Sequence, residues 1–263
     1  MAPRDLDTPV AIDSGNRWAQ QRAEISALRT AAEDPIAMSA RRNHCQVLAD
    51  GFQRLGGSLR CLGHLVGSQR VDGTSPFGNG DDGMVALGYV SETASSLIRG
   101  TTTLITGHNL YAAAALVRQL VEIEYLAWAF AEDQEEASAW LRSNRTDRLQ
   151  RWLPRHLRER SQGRFRGVDY AEHCDLGGHP TPQGVRALVA DHRPVRNEEL
   201  ILSEAGHHGS SAWHYAYAAS GIAFPKEQSF SSELDKMITN SEELWRQQDR
   251  LAATWLAIQA RTP

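Results

Sequence analysis

From residue 48 onward the apolar side chains fall at Leu48, Phe52, Leu55, Leu59, Leu62 and Val66, in alternating steps of four and three residues. That interval draws one stripe along an α-helix and fits no strand. The C-terminal stretch repeats it at Leu234, Ile238, Ser241, Trp245, Gln248, Leu251, Trp255 and Ile258. Alternating strand patterns are missing, apart from a short piece at 199–202 that reads as extended. The pattern predicts an all-α chain: a helical bundle around a central apolar helix, with long N- and C-terminal helices.

Punctuation divides the chain. Residues 1–14 read as a polar tail without an apolar run of signal-peptide length. N-terminal helices follow over 15–70, with Asp34 and Pro35 as a cap and first-position pair. Cys45 and Cys61 on this helix read as core residues. Residues 71–83, VDGTSPFGNGDDG, form a Gly-rich connector whose aspartates lack the spacing of a calcium loop. A helical core spans 84–200, with helices at 84–105, 109–132, 134–143 and 145–160 and a Gly- and Pro-broken segment over 161–200. C-terminal helices over 201–263 pack on that core, at 208–222 and 232–260, all within one domain. The heptad-like seams of the two outer helices suit intramolecular packing and are also open to a homodimer.

Charge and chemistry exclude several classes. The net charge of −4 is incompatible with a uniformly basic nucleic-acid coat. The two lysines, Lys226 and Lys236, follow no glycine, so there is no GK[ST] phosphate loop. Three cysteines with no CxxC argue against a disulfide framework and for a reducing, cytoplasmic setting. The most apolar stretch, Asn109 to Phe130, carries Arg118, Glu122 and Glu124. Each charge at the centre of a span costs about 2.5–3.5 kcal/mol, so this reads as a buried helix rather than a membrane span.

Within that helix Arg118 and Glu122 share a face with Tyr111 and Tyr125. They suggest a partly buried polar groove that holds an anion, or a structural ion pair between helices. Residues 169–182 gather Tyr170, His173, Cys174, Asp175 and His179. His173, Cys174 and His179 are zinc-ligand types, and Glu204 with His207 makes one ExxH. No ligand set is complete, so no metal and no cofactor is expected. His179 alternatively closes a turn before Pro180. Residues 142–166 hold nine arginines against Asp147 and Glu159. Arg145, Arg148, Arg151, Arg155 and Arg158 surround an apolar stripe of Leu149, Trp152, Leu153 and Leu157. Such a segment can bind phosphates, an acidic protein partner or a membrane surface, or it can pair with Glu132, Asp133, Glu135 and Glu136.

Asn109, the alanine run, Arg118, Glu122, then Tyr170, Cys174 and His179 resemble a broad family of bacterial all-helical proteins. That family is in turn similar to the HEPN superfamily of four-helix bundles. The resemblance covers roughly residues 84–182. The HEPN arginine–histidine spacing occurs at Arg151–His156, Arg166–His173 and Arg186–His192, in no case with a polar residue after the arginine. The resemblance implies a protein acting on RNA or binding a nucleotide in a bacterial stress or phage-defence setting. A metal-independent ribonuclease is its best enzymatic form, with Arg118, Glu122, Tyr170, His173 and His179 as catalytic candidates. A non-catalytic interaction or dimerisation module is the alternative, and a metal-dependent hydrolase a further one.

Overall fold

The structure is a computed structural model that describes residues 34–66, 80–165, 167–188, 194–223 and 228–259. The expected tail and most of the Gly-rich connector lie outside these residues. Helix α1 (Pro35–Leu65) opens at the anticipated signal, with the Asp34 carboxylate accepting from the Ile36 and Ala37 amides. Helix α2 (Asp82–Thr106) starts two residues earlier than predicted because Asp81 caps it through the Met84 amide. The two pair closely at Gly56 and Gly88. A Cβ on Gly56 would sit 2.8 Å from the Gly88 carbonyl, and one on Gly88 2.9 Å from that of Gly56. Glycines that cost helix propensity thus let two backbones touch.

Helix α3 (Leu110–Glu132) is the central element and packs between α2 and the long α9 (Pro194–Ala223), while α10 (Gln228–Gln259) lies along α1. Among the described residues there is no strand, in keeping with the all-α expectation. The core joins Phe52 of α1, Ile98 of α2, Leu120 and Phe130 of α3, and Leu202 and Trp213 of α9, each almost wholly buried. The first half of the predicted α10 seam is turned inward, with Leu234, Ile238, Ser241 and Trp245 buried, whereas Leu251 is exposed. No helix among the described residues is long and apolar enough to cross a membrane.

The extended piece expected at 199–202 is helical, part of α9. Ile201, Leu202 and Ala205 face the core at helical spacing. The helix predicted at 208–222 therefore begins at residue 194. Gly206 and Gly209, poor helix formers, are retained there by contact: a Cβ on Gly206 would meet Trp245 at 3.1 Å, and one on Gly209 Leu48 at 3.0 Å. His44 is sealed beneath them, with Nδ1 2.8 Å from Ser241 Oγ and Nε2 2.8 Å from Ser210 Oγ. It ties α1 to both C-terminal helices. Cys45 is buried, and burial pushes its thiol up to about 12. Cys61, expected in the core, faces outward.

One flank of α3 is covered by short pieces. These are α4 (Gln134–Arg142), which packs on α2 as well, then, beyond the connecting α5 (Arg145–Arg151), α6 (Pro154–Arg160), α7 (Gly167–His173), a wide π-helical turn (Cys174–Gly178) and α8 (Pro182–Leu188). The single helix predicted at 145–160 is split, because Pro154 has no amide to continue it and instead starts α6.

Candidate functional site

Arg118 and Glu122 stand one turn apart on α3, with Nη2 and Oε1 2.8 Å apart. Helix α7 adds Tyr170, whose hydroxyl accepts from Arg118 Nη2 at 2.7 Å and donates to Glu122 Oε1 at 2.8 Å. From the π-turn, Cys174 Sγ accepts from Arg118 Nε at 3.4 Å. The turn reaches α3 because it has no side chains there. A Cβ on Gly177 would lie 2.5 Å from the Ala114 carbonyl carbon, and one on Gly178 2.6 Å from Arg118 Cδ. Burial, then the hydrogen bond to Glu122, raise the Tyr170 pKa, so the phenol stays neutral. The Arg118 guanidinium lies 5.4 Å from the centre of the Tyr170 ring, and that of Arg158 lies 4.6 Å from it. Arg118 and Glu122 remain 24% and 35% exposed, so this is a half-buried groove rather than a sealed pair. They border a cleft of roughly 440 Å³ whose walls include Leu97, Leu126, Trp140 and Trp152.

The Arg-rich segment divides. Arg151 and Arg160 both reach Glu136 Oε1, at 3.0 and 2.9 Å, and Trp152 Nε1 donates to Glu136 Oε2 at 2.6 Å. One acid of the run 132–136 thus holds two arginines and a tryptophan. Arg158 turns inward onto Tyr170, with its Nη1 buried and without a hydrogen-bond partner among the described residues. Arg145, Arg148 and Arg155 face outward. Of the expected apolar stripe, Trp152 and Leu157 are buried and Leu149 is exposed.

His173 and His179 do not join Arg118. His179 is exposed and extended after the π-turn, where its amide donates to the Cys174 carbonyl and its carbonyl accepts from Thr181. This is the turn-closing role. His173 meets α9 instead, with Nε2 3.0 Å from His208 Nε2. Glu204, one turn before His208 on α9, places Oε2 3.6 Å from His173 Nε2 and 3.5 Å from His208 Nε2. The other His208 nitrogen, Nδ1, lies 2.6 Å from Glu124 Oε2 on α3. Burial works against a charged His208, but hydrogen bonds to Glu124 and Glu204 outweigh it and raise its pKa to about 9. Burial would raise Glu204, yet the neighbouring histidines hold it below its ordinary value. The cluster opens on a cavity of roughly 310 Å³ bounded by Val117, Leu176, Leu188 and Ile201, with Glu172 and His207 on its wall.

Comparison with protein-family models, with curated proteins and with solved structures returned no match. The two clefts are therefore read from their own chemistry. The first can hold an anion against a guanidinium; the second offers imidazole and carboxylate atoms that converge as metal ligands do. Glu124, Glu204 and His208 escaped the sequence reading as a group. The signal present was Glu204 and His208 at i,i+4, beside the ExxH that named His207.

Proposed function

We propose that the chain is a HEPN-like helical protein that binds the phosphate of a nucleotide or of single-stranded RNA at the Arg118 cleft. The observation that carries this reading is Arg118 itself. It is fixed by Tyr170, Glu122 and Cys174, and among the described residues its Nη1 makes no hydrogen bond although the side chain borders the cleft. A guanidinium so oriented meets a phosphate oxygen without reorganising. Arg158 on the same tyrosine leaves the cluster with one positive charge beyond Glu122. The tryptophan walls supply apolar surface for a base. The reading is of binding, since His173 and His179 serve elsewhere.

Fluorescence anisotropy with labelled RNA and with nucleoside phosphates tests it. Arg118→Gln should weaken binding at least about tenfold, because it removes a charge-assisted contact. If Arg118 and the outward Arg145, Arg148 and Arg155 each neutralise one phosphate, the log–log salt slope is about −3, and Arg148→Ala with Arg155→Ala brings it to about −1.5. Affinity unchanged in Arg118→Gln would remove the proposal.

A second reading has its own observation. Met237, Leu244 and Leu251 are 49%, 45% and 55% exposed at seven-residue spacing on α10. Such a stripe is a heptad seam, and it supports self-association through α10. Light scattering should then give a dimer that Leu244→Glu with Leu251→Glu converts to monomer. A monomeric wild-type chain at about 100 μM, weaker than most specific interfaces, would discard this reading.

A further inference from the structure

We infer that His173, Glu204 and His208 form a mononuclear site for a divalent transition ion of the zinc class, with one coordination position open to the cavity beside them. This inference is independent of the phosphate reading, because it uses different side chains and a different cleft. The three ligand atoms are separated by 3.0, 3.5 and 3.6 Å. Metal–ligand bonds of 2.0–2.2 Å in tetrahedral geometry place neighbouring ligand atoms about 3.3 Å apart. The observed triangle has the dimensions of one face of a coordination tetrahedron, and it is drawn from two helices.

Three further observations fit. Glu124 binds the far nitrogen of His208 at 2.6 Å, the carboxylate–histidine arrangement that fixes which imidazole nitrogen faces a metal. Glu124 and Glu204 together bring two negative charges to a buried histidine pair, and a divalent cation neutralises them. All three ligand residues line the cavity, whose described lining contains no arginine or lysine. Two histidines, one carboxylate and an open position are the ligand set of catalytic rather than structural zinc. Val117, Leu176, Leu188 and Ile201 give this wall apolar surface, and Glu172 adds a carboxylate with no arginine or lysine beside it, so a neutral ligand suits it better than a phosphate. The competing arrangement is a metal-free network in which a His208 cation bridges the two glutamates.

The test uses the full chain, stripped with chelator and titrated with Zn²⁺ against a chromophoric chelator. One equivalent should bind with Kd tighter than about 10 μM, and His173→Ala and His208→Ala, checked by circular dichroism, should weaken it at least about 100-fold. Glu124→Gln should weaken it about 10–100-fold with all three ligands in place. His207→Ala, which changes a wall residue, should leave affinity within about threefold. If either histidine variant fails to fold, Glu204→Gln takes its place, with a loss of at least about tenfold expected. In the Co²⁺-loaded protein, a neutral phenylimidazole should shift the visible absorption and inorganic phosphate should not. Zinc binding weaker than about 10 μM, or equal in wild type and His173→Ala, overturns the site in favour of the metal-free network. A shift caused by phosphate alone overturns the neutral-ligand assignment.

Discussion

His44→Ala should destabilise the bundle by about 3–5 kcal/mol, measured by chemical denaturation. The ring is fully buried, stacks on Trp245 at 5.3 Å and bridges serines from two other helices. Truncation leaves a cavity where α1, α9 and α10 meet, and each hydroxyl loses its hydrogen bond to the ring. The Ser241 hydroxyl donates to the Ile238 carbonyl, so it accepts from Nδ1–H of a neutral ring. Burial keeps the ring neutral by lowering its pKa from 6.5 to about 4; Glu242 opposes this in part and Arg246 adds to it. The sign follows. Between pH 6.5 and about 4 the unfolded chain takes up a proton here and the native chain does not. Stability from this residue is complete above pH 6.5 and falls by about 1.4 kcal/mol per pH unit on acidification through that window. His44→Gln should lack this contribution, so the gap between wild type and variant narrows from pH 7 to pH 5. Parallel pH curves for the two proteins would show that His44 does not titrate differently on folding.

Gly177→Ala should lower stability by about 1–3 kcal/mol and disrupt both clefts together. The added methyl would stand 2.5 Å from the Ala114 carbonyl carbon and 2.5 Å from the Ala115 nitrogen. Backbone inside a helix cannot yield as a flexible side chain can, so the π-turn must lift from α3. Tyr170 and Cys174 then leave Arg118, and His173 leaves His208. The long helices do not depend on this contact, so helicity measured by circular dichroism should be preserved. A fall of about 2–6 °C in Tm is expected for a chain of this size. Gly163→Ala at φ +91, with no atom within 4 Å of its Cβ, serves as a comparison that strains backbone without touching α3. A Gly177→Ala protein with wild-type Tm would show that the turn has room to shift.

How far the sequence carried these arguments depended on the range of the interactions. The stripes of α1 and α10 are local periodicities, and helix-forming residues at those intervals bury against whatever neighbour is available. The Arg118–Glu122 pair was equally legible, being one turn apart in an otherwise apolar helix. The N-terminal half of α9 was not. Gly206 and Gly209 are local breakers, and what overrides them is contact with Trp245, Leu48 and Ile98 from distant segments. An extended 199–202 breaks the helical face that Glu204 and His208 share, and the ExxH pattern points to His207, which is exposed. Glu124 was visible as a charge in an apolar run, but its partner lies 84 residues away. Tyr170 and His173 looked like one constellation because they are three residues apart; α7 sends them to different sides.

That division makes α7 and the π-turn a shared wall between the Arg118 cleft and the His173–His208 cleft. Linkage then applies without further assumption. If an occupant of the Arg118 cleft moves this wall so that a metal at His173 is held more tightly by some factor, the metal must strengthen the first occupant by the same factor. The symmetry extends to loss: a change that uncouples one direction uncouples the other. Two affinities measured alone and together would therefore close a thermodynamic cycle, and its coupling free energy would measure how rigidly five residues of π-helix transmit displacement across the flank of a central helix.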